Sequence, residues 1–210
     1  MIFTCKCSII AISGENMIKT TSILQQELKD YVSPNQKIRR MVAAGQLIPI
    51  RRGLYETDKR TPFYLLAASI YGPSYISFEF ALAYYGLIPE AAYACTSATF
   101  GKLKMKKYDT PFGLFTYRDV PNEAYPYGIV PHEENGYGFL IASPEKAICD
   151  QLYKMPAVAN QKEIAQLLFE NLRIDEIEFR KQNVDDMIEL SDKYHSTNLK
   201  HFAAWLKRGR

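Results

Sequence analysis

Apolar positions at helical spacing give the chain its first ordered pattern. Between Ile18 and Tyr31, Ile23, Leu24 and Leu28 recur about one turn apart, which predicts an amphipathic helix. Ser33-Pro34 then reads as an N-cap followed by a first-turn proline, so a second helix is expected from Pro34 to about Ala44, stopping at Gly45. Its Ile38, Met41 and Val42 share one stripe. Opposite them lie Gln36, Arg40 and Ala43, flanked by Lys37 and Arg39. Two short apolar segments follow, Leu47–Arg51 and Leu54–Glu56, around the pair Arg52-Gly53, and this predicts a hairpin with Pro49 on an edge strand.

Beyond the polar stretch TDKRTP at 57–62 the pattern changes. A helix is expected over Phe63–Tyr71, and another after Ser77, placed to cap it, with Ala81, Leu82 and Tyr85 facing inward. From Tyr93 to Ala142 five strand-like segments, YACTSAT, GKLKMKKY, FGLFTYRDV, YGIVPHEE and YGFLIA, alternate with turn residues in the manner of a meandering sheet. Helices resume at Ser143-Pro144, again a cap and a first-turn proline, and are expected over 161–171, 175–193 and 197–208. The fold class is therefore α+β: an N-terminal winged helix-turn-helix at 17–60, then a mixed α/β domain at 61–210 with a largely antiparallel sheet and C-terminal helices. Residues 1–16 stand before these as an extension.

Composition adds limits. In 210 residues, 47% hydrophobic and 23% charged content is ordinary for a globular chain. No apolar run reaches the 18 or so residues of a membrane helix, and Ile9–Ile12 is too short for a secretory core. Cys5, Cys7, Cys95 and Cys149 match no common zinc spacing, so reduced thiols in a cytoplasmic protein are expected, with no metal and no membrane partner.

A search for catalytic chemistry returns little. There is no glycine-rich phosphate loop and no nucleophile elbow, and no cofactor is expected. Glu145, Lys146 and Asp150 resemble a catalytic set. Yet Glu145 falls in a first helical turn, where an acid is favoured, and Lys146 and Asp150 are spaced to pair with each other. The acid-rich stretch from Glu163 to Asp192 reads as solvated helix surface.

Charge is more informative. The whole chain carries +3, but between Ser33 and Arg60 seven basic residues face two acidic ones, a local +5. Arginine suits both guanine edges and phosphates. On a helix in the major groove, Gln36, Arg39 and Arg40 are placed to read bases, while Lys37, Arg51 and Arg52 would hold the backbone. A second basic run, Lys102, Lys104, Lys106 and Lys107, reads best as edge-strand protection. An enzyme acting on nucleotides or RNA, or a protein-interaction module without DNA binding, remain the alternative classes.

SPNQKIRRMVAAGQLIPIRRGLYE resembles the winged-helix signature of the AbiEi-like antitoxins, the antitoxin component of abortive-infection type IV toxin–antitoxin systems. YISFEFALAYYGLIPE and ASPEKAICDQLY resemble second-domain motifs of that family, and the resemblance runs from Met17 to Arg210. It implies a bacterial, non-enzymatic, two-domain protein. The N-terminal module would bind double-stranded promoter DNA and repress its own operon, and the C-terminal domain would counteract a nucleotidyltransferase toxin encoded alongside.

Overall fold

A computed structural model of the chain describes residues 18–209. The extension at 1–16, with Cys5 and Cys7, lies outside the described residues. The first unit comprises β1 (Lys19–Thr20), α1 (Thr21–Glu27), α2 (Pro34–Ala43), β2 (Ile48–Arg51) and β3 (Leu54–Glu56), with an antiparallel sheet in the order β1-β3-β2. The helix expected over 18–31 is thus shorter, because Lys19 and Thr20 pair with β3 and the Thr20 hydroxyl caps the Ile23 N–H. Ser33 occupies the N-cap position of α2 without a side-chain cap bond. Gly45 and Gly53 both take the left-handed conformation the sequence required of them, at φ 70° and 79°.

The small sheet has two covered faces. Leu24, Ile38 and Leu47 form a minor core with Leu28, Met41, Val42 and Tyr55 packed against it. Ile50 and Leu54 instead join the main core, where Ile18 also packs. Pro49 lies on an edge strand as expected, since its missing N–H would break a central ladder.

A 3-10 turn over Phe63–Leu66 leads into the single turn α3 (Ala67–Ile70), then β4 (Tyr75–Ile76) and α4 (Phe78–Tyr84). Strands β5 (Ala94–Thr99), β6 (Lys106–Thr110), β7 (Gly113–Asp119), β8 (Ile129–Glu134) and β9 (Tyr137–Ala142) complete a six-stranded sheet in the order β6-β7-β5-β4-β9-β8. This is a mixed sheet and not the meander expected, because β5 pairs β7 and β4 pairs β9 in parallel. Lys102 and Lys104 precede β6 and do not lie on it.

The C-terminal layer holds α5 (Pro144–Lys154), α6 (Gln161–Gln166) running into a π-helical turn at Leu167–Asn171, α7 (Glu176–Arg180), α8 (Val184–Asp192) and α9 (Thr197–Arg208). The one helix expected over 175–193 is two, each begun by its own cap. Asp175 accepts the Ile177 and Glu178 N–H groups, and Asn183 accepts those of Asp185 and Asp186.

Helix α5 is the axis of the larger unit, and its buried residues run without a break from Lys146 to Leu152. Lys146 and Asp150 pair as their spacing requires, with Nζ 3.4 Å from Oδ1, but both are fully buried. Asp150 also accepts the hydroxyls of Tyr194 (2.5 Å), Tyr75 (3.0 Å) and Ser77 (2.6 Å). Lys146 donates to the Tyr194 hydroxyl (2.6 Å) and the Ala124 carbonyl (2.7 Å). Burial first, and then the Asp150 charge, push both tyrosine hydroxyls well above the ordinary phenol range, so they remain donors.

Ser77 holds the N-cap position of α4, as expected, but its hydroxyl therefore gives the helix no cap bond. Thr96 of β5 substitutes for it, accepting the Phe80 N–H at 3.0 Å and donating to the Ser77 carbonyl at 2.5 Å. The intervening Phe78 is held at φ 57°, a conformation that costs a bulky residue about 1–3 kcal/mol and persists only where the surroundings enforce it.

Replacing Lys146 with Met leaves Asp150 buried without its cation. The expected loss is about 3–5 kcal/mol of unfolding free energy, read by urea denaturation. A loss below about 1 kcal/mol would show that the pair does not organise the core.

Candidate nucleic-acid interface

Helix α2 is positioned through its apolar stripe. Ile38 is buried and Met41 and Val42 are half-buried against Leu24 and Leu47. Periodicity then turns Gln36, Arg40 and Ala43 outward, with Arg39 on one flank, and all four are exposed. Lys37, on the other flank, is half-buried with its ammonium 5.1 Å from the centre of the exposed Tyr31 ring. Gln25 ties α1 to the start of α2 by donating to Asn35 at 2.8 Å.

Arg51 and Arg52 are exposed at the hairpin turn. The turn is braced on α1, where the Thr21 N–H donates to the Gly53 carbonyl at 3.0 Å. A Cβ on Gly53 would stand 3.4 Å from the Thr21 hydroxyl, tight packing at a φ that side chains rarely adopt. Arg51 also lies close enough to β7 for its charge to oppose slightly the strong upward push that burial gives the Tyr117 hydroxyl.

The six residues thus fall into two groups, four on the outer side of α2 and two at the turn. Among the described residues, none of the five cations among them forms an ion pair. Nearby, Arg60 and Asp58 pair at 3.2 Å and the Arg60 hydrogen bond lowers the Asp58 carboxyl, while Lys59 is exposed. Glu56 is buried and faces away from solvent. On α2 and the turn this leaves an amide and five unneutralised cations, which suit an anionic, extended surface.

The Lys146–Asp150 centre has a different character. Each of its hydrogen bonds ends on another protein group, and solvent reaches neither charge. That arrangement ties elements together and presents nothing to a substrate. Glu145, the third residue of the set, accepts the Asn183 N–H at 3.0 Å and helps seat α8. The sequence signal for the centre was the Lys-x-x-x-Asp spacing within one helix, and the partners Tyr75, Ser77 and Tyr194 gave no sign of it.

No protein-family model matches the chain, and no curated protein matches it. Among solved structures, the chain is similar to the RV2827C protein from Mycobacterium tuberculosis, at 14% identity and a TM-score of 0.61, over 92% of this chain and 72% of that one. The likeness is one of fold. Among the described residues no helix is long and apolar enough to cross a membrane.

Exposed cations without partners should contribute little to folding. Arg39→Ala and Arg40→Ala are each expected to leave the urea unfolding free energy within about 0.5 kcal/mol of the parent. A larger loss would show that these side chains are occupied in holding the fold.

Proposed function

We propose that the chain is a DNA-binding antitoxin of the type IV class, whose N-terminal winged helix-turn-helix represses its own promoter and whose larger unit counteracts a nucleotidyltransferase toxin. The observation that carries the DNA-binding half is the outward set on α2 and the β2–β3 turn, five unpaired cations and one amide on a unit of two helices and a three-stranded sheet. In this reading α2 enters the major groove, where Gln36, Arg39 and Arg40 meet base edges. The hairpin is the wing, and Lys37, Arg51 and Arg52 hold phosphates. The toxin-directed half is supported by the resemblance of YISFEFALAYYGLIPE and ASPEKAICDQLY to AbiEi-like second domains.

Fluorescence anisotropy on the duplex upstream of its own coding sequence tests the first half. The affinity should fall linearly in log K against log salt, with a slope of about −0.9 per phosphate neutralised. The double variant R51A/R52A should weaken binding to specific and random duplex alike and make the slope shallower by about 2. Arg40→Ala should cost about 1–3 kcal/mol and relax preference at one base position. Absence of binding at low salt by folded protein would refute it.

Co-expression with a neighbouring nucleotidyltransferase toxin tests the second half. Growth protection should survive in full-length R51A/R52A protein, because the two activities occupy separate surfaces. Loss of protection in that variant would contradict the division.

A further inference from the structure

The tip of the β8–β9 hairpin reaches back to the segment that joins the small unit to the large one. Its turn residues Asn135 and Gly136 are both left-handed, at φ 53° and 78°, the conformation whose twist suits a two-residue hairpin turn. Glu134 and Tyr137 flank the turn as register partners. Tyr137 donates to Oε2 of Glu56 at 3.0 Å, and Tyr64 donates to Oε2 of Glu134 at 2.6 Å. One hairpin tip therefore holds residue 56, the last of β3, and residue 64, in the first turn of the larger unit. These two residues flank the polar stretch 57–62.

The Glu56 end is built for the task. Its carboxylate is fully buried, and its other oxygen accepts the Thr57 and Asp58 N–H groups at 2.7 and 3.2 Å. Burial, more than any neighbour, pushes the Tyr137 hydroxyl up to about 12, so the phenol stays a donor to the carboxylate. Ile18, Ile50 and Leu54 add apolar ties between the small unit and the main core. Apolar burial is non-directional and tolerates rotation, whereas hydrogen bonds to a carboxylate fix an angle.

We infer that the β8–β9 tip is a clamp that sets how α2 and the Arg51-Arg52 turn are presented, with Glu56 and Tyr137 as positioning residues for DNA binding. The inference rests on the DNA-binding reading above. The clamp touches no phosphate, and it lowers the cost of binding by holding the cationic array in one orientation.

Tyr137→Phe removes one hydroxyl and no charge from the DNA face. In the full chain it should weaken binding to the upstream duplex about five- to tenfold, with an unchanged slope of log K against log salt. A residue that only stabilised the fold would leave the affinity of the folded protein where it was. Y137F/E56Q should bind no more weakly than the worse single variant, as two ends of one contact require. Glu56→Gln alone supplies the same test from the other end of the contact if Y137F does not fold. Affinities within about twofold of wild type for these variants, while R51A/R52A binds weakly, would overturn the clamp and leave the DNA reading standing. Failure of the wild type to bind would overturn both.

Discussion

The larger unit depends on the Asp150 carboxylate. It draws a lysine from its own helix, a tyrosine and a serine from β4 and the segment after it, and a tyrosine from the loop before α9 onto one buried point. A charge in that position is costly unless every lone pair is used, and here each oxygen has hydrogen-bonded partners. The demand propagates outward. Ser77 must face Asp150, so Thr96 must cap α4, and Phe78 must take a strained conformation between them. Gly128 must lack a side chain, because a Cβ there would lie 2.8 Å from the Lys146 Cβ.

This polar centre and the small basic unit divide the work of the molecule. In the interior, charges are paired and sealed, and they specify which elements meet. On α2 and the β2–β3 turn the charges are unpaired and outward, where they are free for a partner. The small sheet connects the two regions, since Tyr55 packs against the minor core and its neighbour Leu54, with Ile50, packs in the main one. The basic surface is therefore carried on a sheet that packs into the main core. In the polar stretch 57–62 Thr61 is buried, and Glu56 is anchored at its start.

How much could be read beforehand depended on whether the physics was local. The cap at Ser143, the left-handed glycines at 45 and 53, the two faces of α2 and the edge position of Pro49 are near-neighbour effects, and all were legible. The parallel pairings of β5 with β7 and β4 with β9 were not, because strand order follows from long-range packing that periodicity does not encode. Ser77 shows the limit most clearly. Its spacing suited a helix cap, but a buried carboxylate 73 residues later offered a stronger partner. The outward residues of the basic helix were legible as a set, whereas the Tyr64–Glu134 and Tyr137–Glu56 contacts that seat the unit were not.

The most direct test of the account is a backbone-amide NMR titration of the isotope-labelled full chain with the duplex upstream of its own coding sequence. The account predicts that the largest shift changes fall at 35–43 on α2 and 51–53 at the hairpin turn, with amides around Asp150 unmoved. Changes concentrated elsewhere, with those two segments silent, would contradict it.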